Sequence, residues 1–318
     1  MSGAALAGGY AADLLAGDPR RWHPVAGFGR VALAVERALY APSRLRGVVF
    51  AGGLVTLAAL AGELLARAAQ RAGLGRGAAL AAIAWASLGG RSLVREARGL
   101  AAHVERGDVA AARRALPALC GRDPAALDAP ALCRAAVESV AENTGDAVLG
   151  ALMWGALAGP AGVAAFRAAN TLDAMVGHRS ERYADFGWAA ARLDDALGWP
   201  VARSGAALTA LCAPLAGGAP AATWRVVRRD GAAHPSPNAG RLEAAFAGAL
   251  GVRLGGALTY GGRVEQRPQL GAEGREPGAA DVRRAARLSL AVGSAATLAC
   301  AGARAAGLRA LARRRGRA

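Results

Sequence analysis

The chain has 318 residues, is 54% apolar with a mean hydropathy of +0.24, and carries a formal net charge of +16. It contains no lysine, which excludes a GxxxxGK[ST] phosphate loop and any lysine Schiff base, so phosphate must be met by Arg, backbone N–H groups or a metal. The arginines are spread between apolar runs with no basic stripe interleaved with aromatics, so lipid headgroups account for the charge and nucleic acid does not.

A membrane-spanning helix needs roughly 20 mostly apolar residues. In chain order the stretches that approach this are residues 1–15, 47–66, 77–90, 147–166, 204–224 and 288–303. The first has no charged leading region, so it reads as a short membrane-associated segment and not a cleaved signal. Gly47–Gly62 is uncharged and continues past Glu63 to Leu65, and the shorter Gly77–Gly90 is placed to pair with it as a helical hairpin. Arg91–Ala136 is charged and helix-prone and is expected outside the membrane, with Gly107-Asp108 as a helix-to-helix turn and Asp108 as an N-cap. Ala147–Phe166 carries no charge but contains Gly159-Pro160-Ala161-Gly162; Ser204–Trp224 contains Pro214 and Gly217-Gly218-Ala219-Pro220. Pro removes a backbone donor and Gly weakens a helix interior. Non-helical backbone at membrane depth survives only when covered by protein or lining a cavity. One or both of these runs are therefore expected as re-entrant hairpins or kinked helices facing a site. Val226–Arg284, rich in Gly, Pro and Arg, is expected to be loop-dominated, and Leu288–Ala303 is the last apolar run. Each run is apolar all round, unlike an amphipathic soluble helix.

The fold class that follows is all-α: a multi-pass helical membrane protein, one membrane-embedded domain, with broken or re-entrant segments and polar motif-bearing loops. Cys120, Cys133, Cys212 and Cys300 form no C-x-x-C pair, so neither a disulfide framework nor a zinc site is expected.

Four polar clusters punctuate the pattern. Asp13, Asp18 and His23 follow the first apolar run, where Asp18-Pro19 also reads as a turn signal. Glu138, Glu142 and Asp146 are four apart, so on a helix they share one face. Like charges on one face ask for a cation, and oxygen-only ligands suit Mg²⁺, which keeps waters and substrate phosphates in its shell. The alternative is a solvated face balanced by Arg134. Asn170 and Asp173 lie beyond the first broken run, so a hairpin there would bring them back to Asp146. The same cluster continues to Arg192, the adjacent pair Asp194-Asp195, and Arg203. The acidic pair is a metal-ligand or helix-cap pattern, and the two arginines could clamp phosphate. The fourth cluster, Arg229-Asp230 and His234-Pro235-Ser236-Pro237-Asn238, offers donors at positions stiffened by two prolines. Gly-rich stretches follow, whose N–H groups could meet an anion.

The clusters occur as strings: Gly17-Asp18-Pro19 with His23-Pro24-Val25, ESVAEN from Glu138 with Asp146, NTLD from Asn170, RY..FGWAAARLDD from Arg182 with Arg203, and Arg229-Asp230 with HPSPNAG from His234 and EAA.AGALGVRLGG from Glu243. In this order they resemble the adenosylcobinamide-phosphate synthase family of cobalamin (vitamin B12) biosynthesis, over most of the chain outside residues about 35–130. Two positions depart from it: Ala147 stands where a glycine usually follows the aspartate, and Ala151 where a proline is usual.

The resemblance implies an integral membrane carbon–nitrogen ligase. It would join (R)-1-amino-2-propanol, free or O-phosphorylated, to the f-side propionate carboxylate of adenosylcobyric acid, with ATP as co-substrate and Mg²⁺. On that implication Glu138, Glu142, Asp146 and Asp173 would hold Mg²⁺ and through it nucleotide phosphates, with Asp194 and Asp195 as second candidates. Asn143, Asn170, Arg192, Arg203, Ser236 and Asn238 would bind substrate or phosphate. His234 or His23 would take the proton that the ammonium must lose before attack. The implied partners are the corrinoid, the amine, the lipid bilayer of the cell membrane and other late cobalamin-pathway membrane enzymes. The motif loops are expected on the cytoplasmic side, and the Arg-rich tail, Arg309 to Arg317, points there too by the positive-inside rule. A transporter is the rival reading, since broken helices also line transport sites, although no inverted repeat is visible. A non-catalytic membrane scaffold is another.

Overall fold

The computed structural model describes residues 3–18, 23–178, 180–260 and 263–315, the side chains of 257–260, 263–265 and 304–315 excepted. Pro19 of the turn signal, Gly261-Gly262 and the side chains of the Arg309–Arg317 tail lie outside the described residues. The elements are α1 (Ala4–Ala16), α2 (Pro24–Leu39), α3 (Arg44–Arg71), α4 (Gly75–Ser87), α5 (Gly90–Glu105), α6 (Val109–Ala115), α7 (Ala129–Thr144), α8 (Gly150–Val176), α9 (Trp188–Cys212), α10 (Pro220–Asp230), α11 (Ala239–Leu250), the strands β1 (Leu254–Tyr260) and β2 (Arg263–Leu270), and α12 (Ala279–Arg315).

Four helical stretches among the described residues are long and apolar enough to cross a bilayer: Arg44–Arg71, Gly75–Glu105, Ala129–Gly177 and Ala279–Ala303. The chain is an all-α multi-pass membrane protein. At 13 residues α1 is too short to span. Ser204–Trp224 is not a single segment. Helix α9 stops at Cys212, a 3-10 turn covers Ala213–Ala216, Gly217 takes φ 79°, and α10 begins with Pro220 in its first turn. Pro214 and Pro220 cannot donate into a continuing helix, so each sits where a helix begins.

The described residues divide into two compact units: Met1–Gly89 with Asp146–Gly198 and Ala296–Ala318, and Gly90–Gly145 with Trp199–Ala295. In the first unit, α3 and α4 form the expected hairpin, joined through Ala72–Leu74. Helix α3 leaves Leu57, Leu60, Leu64 and Leu65 exposed, as a lipid-facing stripe requires. Its other side packs Phe50, Ala51 and Leu54 against Leu172, Val176 and Phe186.

The broken run inside α8 is a hairpin. Gly159 has φ 66° and ψ −148°, a region open almost only to glycine, and Pro160 starts the return arm. A Cβ on Gly150 would overlap the Phe166 ring, one on Gly155 would press on Val163, and one on Gly162 would strike the Trp154 carbonyl. A straight helix would hold residues eight apart about 12 Å apart along its axis. The two arms are antiparallel, and their register brings Asp146 level with Asn170 to Leu172.

In the second unit, Asp108 caps α6 by accepting from the Ala111 N–H at 2.8 Å, as expected. Val226–Arg284 departs from the loop expectation. It contains the end of α10, the buried α11, and the antiparallel β1–β2 hairpin with a bulge between Leu254 and Gly256. Ala and Leu in Ala239–Leu250 are strong helix formers, and Ser236 starts the helix by accepting from the Asn238 and Ala239 N–H groups.

Candidate functional site

Polar side chains gather in two places, one in each unit. In the second unit, a cavity of 120 Å³ is walled by Cys120, Arg122, Glu138, Ser139, Glu142, His234, Glu243 and Arg267. Glu138 and Glu142 come from one face of α7, four residues apart, as the sequence implies. Arg122 Nη2 lies 2.7 Å from Glu138 Oε2, both side chains being almost fully buried. The Gly255 N–H donates to Glu138 Oε1 at 2.6 Å. The Ser139 hydroxyl donates to the Leu119 carbonyl at 2.6 Å and ties the segment before Arg122 to α7.

His234 stands before α11. Its Nδ1 accepts from the Ser236 N–H at 3.0 Å, and Arg267 Nη1 lies 2.9 Å from its Nε2. Both ring nitrogens thus face donors, and a neutral imidazole can accept on only one. Burial, and then the Arg267 charge, push the His234 pKa down. Glu243, on α11, is 7% exposed and forms no hydrogen bond among the described residues; His234 Nε2 lies 3.8 Å from its Oε1. Burial, and then the charges of Glu138 and Glu142, push its pKa well above the usual carboxylate range.

The first unit holds the other cluster, at the base of the α8 hairpin. Between α7 and α8 the chain makes a π turn, Gly145–Leu149. The wider turn breaks the four-residue repeat that would have kept Asp146 on the Glu138–Glu142 face. Asp146 instead acts on Arg167, as does Asp18. Arg167 Nη1 donates to Asn170 Oδ1 at 3.3 Å, and Asn170 Nδ2 donates to Asp194 Oδ1 at 3.4 Å. Asp173 and Asp195 are electrostatic neighbours, and Arg192 Nη1 lies 3.8 Å from Asp195 Oδ2. Beside Arg167 opens a 550 Å³ cavity, almost wholly apolar, lined by α2, α3, α4 and the return arm of α8.

The expected acidic face is therefore distributed, with Glu138 and Glu142 in one unit and Asp146, Asp173, Asp194 and Asp195 in the other. No three His, Cys, Asp or Glu side chains among the described residues gather as a metal site. Several nominated residues have local structural partners. His23 Nδ1 caps α2 by accepting from the Val25 N–H at 3.2 Å. Asn143 Nδ2 donates to the Ser139 carbonyl at 3.0 Å. Arg203 donates to the Trp199 carbonyl at 3.1 Å and stacks on the Trp199 ring at 4.0 Å. Ser236 and Asn238 build the start of α11. Arg122, Arg167, Glu243 and Arg267 were not nominated from sequence. Arg167 stands alone in the otherwise uncharged helical stretch from Ala147 to Leu172, and a lone ionisable group there is a signal that could have found it.

A model of the CobD/Cbib protein family matches residues 6–289. A cobalamin biosynthesis protein CobD from Mycobacterium tuberculosis is 52% identical over 286 residues, 90% of each chain. A protein of the same name from Chromobacterium violaceum is 43% identical over 87% of this chain and 88% of its own. Another, from Rhodobacter capsulatus, is 40% identical over 86% and 88%. No solved structure matches.

Proposed function

The chain belongs to the CobD/Cbib family and has its role in cobalamin biosynthesis, and from that membership we propose that it is the ligase that makes the aminopropanol amide of adenosylcobyric acid. A carboxylate does not condense with an amine in water without activation. In the proposed route a propionate oxygen attacks the γ-phosphorus of ATP and ADP leaves. The amine nitrogen then attacks the acyl carbon, inorganic phosphate leaves, and the nitrogen's proton passes to a base. Such chemistry asks a protein for positioning and charge compensation more than for a covalent group, which suits a chain without lysine.

The observation that supports this reading is the run Asp18, Asp146, Arg167, Asn170 and Asp194 at the base of the α8 hairpin. Together with Asp173 and Asp195 it is an oxygen-rich donor set. No three of these carboxylates gather as a closed cage, so a Mg²⁺ ion there would take one or two of them and fill the rest of its shell with water and phosphate. Bound there, the ion would neutralise nucleotide phosphate. Of the two histidines we take His234 as the better candidate base, because burial favours its neutral form and it lines a polar cavity. ATP and corrinoid chemistry put the motif loops on the cytoplasmic side of the cell membrane. The test is amide synthesis in detergent with free and O-phosphorylated amine, with and without ATP and Mg²⁺. Synthesis should require both, and Asp146→Ala or Asp173→Ala should lower it at least about 100-fold, the scale of one lost electrostatic contact to a transition state. ATP-independent corrinoid uptake by vesicles without amide formation would overturn the proposal in favour of a transporter.

A further inference from the structure

We infer that the apolar cavity beside Arg167 is the seat of one acyl chain of a membrane glycerolipid, whose ester carbonyl accepts from the Arg167 Nε–H. The site belongs to none of the substrates of the ligase reading, and it stands whether or not that reading does.

Shape is the first argument. The cavity lies wholly within the first unit, and its polar members gather at one end. Arg167 and Thr171 stand at the base of the α8 hairpin. Ser87 lies two residues before Gly89, whose N–H donates to the Ala147 carbonyl at 3.1 Å, also at the base. Trp85 lines the same end and donates Nε1 to the Gly17 carbonyl at 3.0 Å; tryptophan is the residue favoured at headgroup level. The other end is apolar and reaches the hairpin turn, where a Cβ on Gly62 would meet the Pro160 carbonyl. From Thr171 to Pro160 the return arm covers about 16 Å at 1.5 Å per residue, close to half of a hydrocarbon core of about 30 Å. Ala61 and Leu65 line the cavity and are exposed on the lipid-facing side of α3, so it opens toward the bilayer. At the roughly 30 Å³ that one water occupies, 550 Å³ has room for about 18 groups of that size, one long acyl chain.

Head chemistry is the second. Arg167 Nε is buried and has no acceptor among the described residues, and a buried donor left unpaired is costly. The rest of the guanidinium is provided for. Its Nη1 donates to Asn170 Oδ1 at 3.3 Å, and Asp18 and Asp146 compensate its charge. What it lacks is therefore an acceptor for one N–H, and not a counter-ion. An ester carbonyl accepts without adding charge. The carboxylate of a free fatty acid would bring a third anion against Asp18 and Asp146. A nucleotide or a small ammonium fares worse, because Ala58, Ala61, Leu65, Ala82 and Ile83 offer its polar atoms no partner.

The experiment uses the full chain in detergent, with Trp85 kept and the other five tryptophans replaced by phenylalanine. Trp85 lines the cavity, so quenching of its fluorescence by methyl dibromostearate reads occupancy, and dibromostearate is the charged control. Quenching should saturate, and the ester should bind at least as tightly as the carboxylate. Ala58→Phe with Ala86→Phe fills the space with side chains, leaves Arg167 in place, and should weaken ester binding about tenfold or more, the loss of a well-filled pocket. Arg167→Met keeps the stem without its donors and should weaken it about fivefold or more, the effect of one hydrogen bond left unmade. Mass spectrometry of the chain with its native tryptophans, released from detergent micelles, should show one retained glycerolipid, and none in the filled variant. Quenching that never saturates, equal binding to the filled variant, tighter binding of the carboxylate than of its ester, or a native chain that retains no glycerolipid overturns the proposal. Displacement of the ester by ATP or adenosylcobyric acid gives the cavity to a substrate and overturns it too. Saturable ester binding by a chain that makes no amide under any condition sinks the ligase reading and leaves the lipid seat standing.

Discussion

Replacing Gly159 by alanine distinguishes a hairpin from a continuous span by the sign of its effect. Gly159 has φ 66° and ψ −148°, where an L-residue costs about 1–3 kcal/mol. Gly159→Ala should therefore destabilise the fold by that amount, shifting the folded-to-unfolded ratio about 5- to 150-fold. In an uninterrupted helix the same change would stabilise by about 0.5–1 kcal/mol, because alanine is the better helix former. The assay is reversible denaturant unfolding of the purified chain in mixed detergent, wild type against variant. A companion measurement places cysteines at Gly155 and Val163 in a background lacking the native four. The hairpin brings these positions into contact, so the pair should cross-link within one chain. A stabilising Gly159→Ala, or a pair that only a reagent reaching about 12 Å can bridge, would refute the hairpin.

Arg122→Ala leaves Glu138 buried without its counter-charge, and losing one partner of a buried pair costs roughly 3–5 kcal/mol. Adding Glu138→Gln should recover part of that loss, so a double-mutant cycle by denaturant unfolding gives a large coupling, whereas additivity would mean that the pair is not coupled. Glu243 sets a pH dependence. Its folded-state pKa is raised, first by burial and then by Glu138 and Glu142. The stability it contributes is therefore full below the unfolded value of about 4.3 and is lost as pH rises through the raised folded value. Arg122, Arg267 and His234 share the cavity, and the two arginines partly oppose the shift. Glu243→Gln should gain stability over the wild type as pH increases across that window and then level off; a difference independent of pH would show that Glu243 does not titrate there.

Much of the fold is legible in short-range chemistry. The α3–α4 hairpin follows from two uncharged runs with a charged break between them. The Asp108 cap follows from a side-chain oxygen three residues before an unpaired N–H. The reversal in α8 follows from Gly159-Pro160, although sequence could not choose between a kink and a hairpin. That choice belongs to Gly150, Gly155 and Gly162, whose missing side chains let the arms close. What sequence does not carry are features set by partners far along the chain. Glycine and proline density around it in Val226–Arg284 hides α11, most of whose residues are buried. Glu138, Glu142 and Asp146 keep helical spacing, but the π turn after Thr144 has no marker in residue type. Glu243 opens an EAA string with Arg241 two residues before it, and only its burial singles it out as a cavity residue.

The α8 hairpin also fixes a parity. A straight crossing exchanges the compartments of whatever precedes and follows it, whereas a segment that doubles back contributes an even number of passages. Reporter tags inserted ahead of α7 and just after Gly177 should therefore report the same compartment, and every assignment of sidedness from α9 onward inverts relative to a count that scores Ala129–Gly177 as one pass.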